Sequence, residues 1–214
     1  MKILVTGFQP FGGEAINPAW EAVKLLPNEI QGAKIIREEI PTAFEECEKA
    51  IERSILKNKP DVVVCVGQAG GRSCISIEKV GINLMEASIP DNRGNQPIDK
   101  IIKEDGPVAY FSSLPVKVMV KNLREHGIPG ELSYTAGTYV CNNLLYSLMY
   151  LIEKKYPGIK GGFIHVPFSC EQASSKAKGT PSMSVETIAK GLEYAIFPIA
   201  AGMTEARLEM GEIQ

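Results

Sequence analysis

The sequence predicts a three-layer α/β/α domain on a mostly parallel, mixed and twisted sheet, and three observations carry that prediction. Short apolar runs alternate with stretches of helical period along the chain, the pattern of a sheet covered on both faces. The run Asp-Val-Val-Val-Cys-Val-Gly at 61–67 is continuously apolar and β-branched, as in a central strand buried on both sides. A chain of 214 residues without repeat or linker suits a single domain, residues 1–214, able to bury about 70% of its unfolded surface.

In order, 2–7 reads as the first strand, followed by a Gly/Pro/Phe loop over 8–16. Asn17 then caps a helix with Pro18 at N1, where its missing N–H costs nothing. Residues 33–40 are a second strand, stopped by Pro41. Residues 42–57 form a helix with Glu45, Glu46 and Glu48 near its start and Arg53 and Lys57 near its end, as the helix dipole favours. After the central strand, 68–107 hold a Gly-rich turn, an alternating segment at 75–80 and a Pro/Asp/Asn/Gly stretch at 90–97. Apolar anchors there (Ile82, Leu84, Met85, Ile89, Ile98) predict an ordered site wall or subunit contact. Next come a helix over 114–126 stopped by Gly127, a short strand at 131–134 and a helix over 138–155 with Thr138 as its cap. A buried strand at 161–166, ended by Pro167, and a helix from about Ser184 to beyond Ala200 complete the set, with a polar, frayed tail.

A net charge of −2 and a pI near 5.8, without a basic cluster, argue against nucleic acid or an anionic membrane as partner. No apolar run is long enough to span a membrane, and Met1 leads straight into a strand pattern without a signal peptide. A cytoplasmic protein is therefore expected. The five cysteines, Cys47, Cys65, Cys74, Cys141 and Cys170, never stand in a Cys-x-x-Cys spacing, which encourages neither a disulfide framework nor a metal site. Two Gly-rich loops invite a phosphate reading. The loop from Gly7 to Gly13 has P-loop spacing but Gly13 and Glu14 where a Lys and a Ser/Thr would be needed, and its two Phe rings suit an apolar ligand better. The loop from Gly67 to Gly71 lacks the dinucleotide order. Both loops fall at the carboxyl ends of strands, where open α/β sheets bind ligands.

Three side chains stand out chemically. Cys141 falls at N3 of the helix that Thr138 caps, near unsatisfied N–H groups that favour a thiolate. Its alternative is a buried cysteine acting as a small hydrophobe. His165 ends a predicted inner strand at the ligand-binding rim, or is a satisfied core histidine. Glu78 lies on the alternating segment, either as a third member of a site or as the outward charge of a half-exposed strand. His126, at a helix end before Gly127, reads as a solvated histidine. A thiol, an imidazole and a group that orients the imidazole are the types a cysteine peptidase needs, but spacing alone does not show that they meet.

The segments Gly7-Phe-Gln-Pro-Phe-Gly-Gly, Gly67-Gln-Ala-Gly-Gly-Arg, Ile77-Glu-Lys-Val-Gly-Ile-Asn, Ile89-Pro-Asp-Asn, Gly94-Asn-Gln-Pro-Ile, Ser133-Tyr-Thr-Ala-Gly-Thr-Tyr-Val-Cys-Asn and Gly162-Phe-Ile-His-Val-Pro together resemble the pyroglutamyl peptidase I (pyrrolidone carboxyl peptidase) family over nearly the whole chain. The resemblance implies a phosphorylase/hydrolase-like fold and a cytoplasmic exopeptidase that needs no cofactor or metal. It would remove N-terminal pyroglutamate from peptides through a thioester acyl-enzyme, usually as a homotetramer. It further implies Cys141 as nucleophile, His165 as base and Glu78 as the carboxylate that orients it. Phe8 and Phe11 match the aromatic residues of the pyroglutamyl pocket, with Asn17, Thr42, Gln68, Ile89, Tyr139 and Val140 around it. The chain departs from the family pattern at Ser88, where an arginine is usual; backbone donors or another cation would then serve. The alternative is a non-catalytic small-molecule or peptide-binding protein of the same fold.

Overall fold

The computed structural model describes residues 1–211. Its elements are β1 (Lys2–Phe8), α1 (Pro18–Lys24), β2 (Glu29–Ile30), β3 (Ala33–Ile40), α2 (Phe44–Asn58), β4 (Val62–Gln68), β5 (Ile75–Glu78), β6 (Val80–Ile82), β7 (Ala109–Phe111), α3 (Val116–Glu125), β8 (Gly130–Ser133), α4 (Val140–Lys154), β9 (Lys160–Val166), α5 (Cys170–Ser174) and α6 (Val185–Ala200). The main sheet runs β2-β3-β1-β4-β9-β5-β8, and β6 and β7 form a separate antiparallel pair. Within the sheet β3, β1, β4 and β9 are parallel, β5 runs antiparallel to β9 and parallel to β8, and β2 is antiparallel to β3.

Strand alternation divides the core between the two faces. Ile3 and Val5 of β1, Val62, Val64 and Val66 of β4, Ile164 and Val166 of β9, and Ile75 and Ile77 of β5 face α1, α3 and α6. Leu4 and Phe8, Val63 and Cys65, and Phe163 face α2 and α4. His165 of β9 and Ser76 and Glu78 of β5 belong by the same alternation to the α2/α4 face. Helix α4 is held there by packing: Leu144, Leu145 and Leu148 are fully buried, each contributing about 2 kcal/mol by removal from water.

The cap of α1 is as expected, with Asn17 Oδ1 accepting from Ala19 N at 3.1 Å and Pro18 at N1. Three expectations need correction. Helix α4 begins one residue late, with Tyr139 rather than Thr138 at its N-cap and no side-chain cap bond there among the described residues. Thr138 instead donates its hydroxyl to Glu86 O and accepts from Glu86 N, which ties it to the neighbouring loop. Helix α2 also starts late. Its first N–H, from Phe44, is taken by Asp91 Oδ2 at 2.9 Å from a distant segment. The alternating run at 75–80 is no half-exposed strand: β5 is wholly buried inside the sheet. Sequence reasoning missed β2, β6, β7 and α5, all short. Beyond α6, residues 201–211 form no helix or strand, and the rest of the expected frayed tail, 212–214, lies outside the described residues.

Candidate active site

A cavity of about 410 Å³ opens at the carboxyl ends of β1, β4 and β9, walled by the loop after β1, the turn after β4 and the start of α4. Cys141 and His165 both face it. Register explains their meeting. Gly67 of β4 lies directly opposite His165 of β9, and a Cβ on Gly67 would stand 2.8 Å from Cys141 Sγ. The absence of a side chain there lets the sulfur settle against the strand next to the histidine.

On the other side of β9, Ser76 pairs with His165 and Glu78 with Phe163, which brings Glu78 behind the imidazole. His165 Nδ1 donates to Glu78 Oε1 at 2.7 Å, fixing the tautomer so that Nε2 is left as the base. Both groups are almost fully buried, with side-chain exposures of 4% and 0%. Glu78 is therefore not a surface charge. Burial by itself pushes its pKa up, but the hydrogen bond and charge of His165, with Ser133 and Arg72, outweigh this and hold it below the ordinary 4.5.

Cys141 occupies N2 of α4 rather than the expected N3. Asn142 and Asn143 pin that helix start from two sides: Asn142 exchanges hydrogen bonds with Ile82 and donates to Leu84 O, and Asn143 donates to Phe44 O at 2.7 Å. Two effects oppose each other at the sulfur, since the helix start favours a thiolate and its surroundings do not. Burial of the sulfur, and next the negative charge of Glu78, push the thiol well above its ordinary range. With no side chain capping α4, its first N–H groups remain free to donate to a developing oxyanion.

Phe8, Phe11, Asn17, Thr42, Gln68, Ile89 and Tyr139 line the cavity. Val140 does not: its side chain is fully buried in the core under α4, because the helix turns N1 inward while Cys141 faces out. Phe8 is buried against Phe163 at 6.2 Å, and Phe11 packs on Tyr139 at 5.9 Å. The segment after Ala87 forms a wall, as expected. Tyr139 Oη donates to Pro90 O at 3.0 Å, and Asn92 donates to Pro10 O at 2.9 Å.

Two residues of the site went unassigned in the sequence. Gln172 Nε2 donates to Gln68 Oε1 at 2.9 Å, and Gln172 is itself fixed by a capping box with Ser169 at the start of α5. The Ser-x-x-Gln spacing was a readable signature of that box. Arg72 lines the cavity too, and donates to Glu78 Oε1 at 2.7 Å and to Thr135 O at 2.9 Å. It belongs to the Gly67-Gln-Ala-Gly-Gly-Arg segment, but nothing local in that segment indicates its partners.

A thiol and an oriented imidazole that line one cavity on an α/β/α sheet are the groups that cysteine-dependent hydrolases use. Comparison with known proteins narrows this. The family model for pyroglutamyl peptidase matches residues 1–201. The pyrrolidone-carboxylate peptidase of Thermosipho melanesiensis is 59% identical over 196 residues, covering 92% of this chain and 96% of the relative. That of Clostridium botulinum is 54% identical over 213 residues, spanning 100% of each. The crystal structure of pyroglutamyl peptidase I from Bacillus amyloliquefaciens superposes with a TM-score of 0.93 at 47% identity, covering 97% of this chain and 98% of that one. The chain belongs to the pyroglutamyl peptidase family.

Proposed function

We propose that this chain removes the N-terminal pyroglutamyl residue from peptides, with Cys141 as nucleophile, His165 as general base and then general acid, and Glu78 as the carboxylate that orients the imidazole. The observation that carries this reading is the buried 2.7 Å bond from His165 Nδ1 to Glu78 Oε1 beside a cavity that Cys141 shares. A pyroglutamyl ring is small, neutral and cyclic, so it needs apolar walls and a few hydrogen-bond partners rather than a charged clamp. Phe8, Phe11, Ile89 and Tyr139 supply walls of that kind, and Asn17, Thr42 and Gln68 the polar groups around them.

In the first step His165 Nε2 takes the Cys141 proton as sulfur attacks the scissile carbonyl, since burial disfavours a free thiolate beforehand. Glu78 stabilises the imidazolium that forms. Free N–H groups at the start of α4 receive the oxyanion, a contribution on the order of 3 kcal/mol to the barrier. The imidazolium then protonates the leaving amine, giving a thioester. A water deprotonated by His165 hydrolyses the thioester and releases pyroglutamate.

The whole chain acts as one catalytic domain, in the cytoplasm and as a homotetramer. All five cysteines are free thiols, which suits a reducing compartment. Exposed apolar side chains on the segment before α3, among them Ile98, Val108 and Phe111, suit a subunit contact. Sedimentation velocity checks the assembly, and a stable monomer would count against it. The activity itself is tested by release of the chromophore from a pyroglutamyl anilide. Wild type should turn over and lose activity to iodoacetamide. Cys141→Ala should be inactive but folded, and full turnover in that variant would sink the mechanism. A wild type that binds pyroglutamyl peptides without cleaving them would favour a binding protein instead.

A further inference from the structure

Glu78 is bonded in a lopsided way. Its Oε1 accepts from His165 Nδ1 at 2.7 Å and also from Arg72 Nη1 at 2.7 Å, whereas its Oε2, buried, has no hydrogen-bond partner among the described residues. Two donors that carry or acquire positive charge thus share one oxygen. Arg72 is anchored in turn by its second Nη, which donates to Thr135 O at 2.9 Å, and more weakly by Ser133 Oγ at 3.4 Å. Thr135 begins the short passage that leads through Gly137 into α4. One guanidinium therefore joins the carboxylate to the chain that delivers the nucleophile. Its planar fork can do this as a compact ammonium cannot.

We propose that Arg72 is a positioning residue for the Glu78–His165 pair: it holds the oxygen that receives the imidazole and, through that shared atom, sets how readily His165 takes up a proton. The proposal rests on the assignment of Glu78 and His165 given above. Arg72 acts by two routes of the same sign. Its charge disfavours a second positive charge on the imidazole, and its hydrogen bond draws electron density from the oxygen that would stabilise that charge. Loss of Arg72 should therefore raise the pH at which His165 becomes protonated, whereas loss of Glu78 should lower it.

The groups facing His165 are few. Glu78 comes from β5, Arg72 from the turn after β4 and Cys141 from α4. Cys65, on the neighbouring β4, is pushed up to about 12 by burial, and Tyr139 at the cavity wall is likewise pushed up to about 12 by burial. Both stay neutral through the working range. Glu131 lies a strand beyond Ser76, whose hydroxyl donates to its Oε1 at 2.6 Å, and it is unchanged in the variants below.

The test is the pH dependence of kcat on a pyroglutamyl anilide for wild type, Arg72→Gln, Arg72→Lys and Glu78→Gln, with thermal midpoints alongside. Arg72→Gln keeps a donor for Thr135 O but removes the charge. Its acidic limb should move up by roughly half a pH unit, the scale of a partly screened charge at short range. Arg72→Lys keeps the charge, so its limb should stay with wild type even where kcat falls because the fork is gone. Should Arg72→Gln not fold, Arg72→Met is read in its place. A limb that stays put in the neutral variant, whatever happens to its thermal midpoint, overturns the proposal and leaves Arg72 a structural tie. A limb that moves in Arg72→Lys as far as in Arg72→Gln overturns it too, because charge would not then be the cause. If Glu78→Gln also leaves the limb unmoved, the failure belongs to the assignment of the Glu78–His165 pair; if Glu78→Gln shifts it down, only the role of Arg72 falls.

Discussion

Substitution of Gly67 by alanine is the most direct probe of how the nucleophile is seated. Gly67 sits in β4 opposite His165. An added Cβ would lie 2.8 Å from Cys141 Sγ, 2.8 Å from Phe163 Cζ and 3.1 Å from Phe163 Cε1. The phenyl ring is fully buried and has little room to yield. The sulfur contact falls about 0.6 Å short of the 3.4 Å at which ordinary contact begins, so Cys141 has to move by roughly that amount. Overpacking of this kind costs about 1–3 kcal/mol. Loss of backbone freedom in the unfolded chain returns about 0.4–1 kcal/mol. For a chain of this size the net cost corresponds to a fall in thermal midpoint of about 0–10 °C. Activity should suffer more, since a nucleophile displaced by about 1 Å can lose on the order of 10²-fold; kcat for a pyroglutamyl anilide should drop about tenfold or more, with slower alkylation by iodoacetamide. Gly158→Ala, where an added Cβ meets nothing within 4 Å, is the control and should be near wild type in both measurements. Wild-type kcat and alkylation rate in Gly67→Ala would refute the seating of the sulfur against β4.

Three further outcomes follow from the site. Glu78→Gln should lower kcat much more than KM, with the acidic limb of the rate profile displaced downward. Because Glu78 titrates below its ordinary 4.5 in the folded state, its stabilising contribution is present above that value and is lost as pH falls through the folded one. Thermal midpoints measured down to low pH should therefore fall more steeply in wild type than in Glu78→Gln. His165→Ala should lose on the order of 10²-fold or more in kcat. His126→Ala should stay close to wild type, since His126 is exposed, bonds Asn122 O through its ring Nδ1 and stacks on Tyr194; comparable losses at both would mean that the base is misplaced. Gln172→Ala removes the donor that fixes Gln68 Oε1 and should raise KM more than it lowers kcat in steady-state assays, with equal effects on both arguing against a role in substrate binding.

Periodicity made most elements legible. β3 was read with its observed bounds, and β1, β4, β9 and α6 to within a residue or so, because each carries an apolar pattern that only one kind of element satisfies. The starts of α2 and α4 were misplaced for a shared reason. In each case the residue at the expected start is engaged elsewhere: Thr42 donates to Gln9 O and Thr138 to Glu86 O. The partner that does satisfy the first N–H of α2, Asp91, comes from a distant segment. Capping by a residue so far away leaves no local trace. The two-residue β2 and three-residue β7 are too short to show a period at all.

The sequence by itself determined which residue types were present and on which kind of element each lay. It put a cysteine at a helix start, a histidine at the end of an inner strand, a glutamate on an alternating run and two phenylalanines in a glycine-rich loop. Those are consequences of local sterics and of apolar periodicity, and they needed no partner. The tertiary structure decided that these residues meet. Strand order places β9 between β4 and β5, and register sets Gly67 against His165 and Glu78 against Phe163. A slip of one residue would send each side chain to the opposite face. Tertiary structure also turned Val140 into the core and left Cys141 in the cavity, and it raised the thiol by burying it beside the charge of Glu78. Pairing, burial and charge depend on groups that the chain brings together from far apart, so no local pattern specifies them.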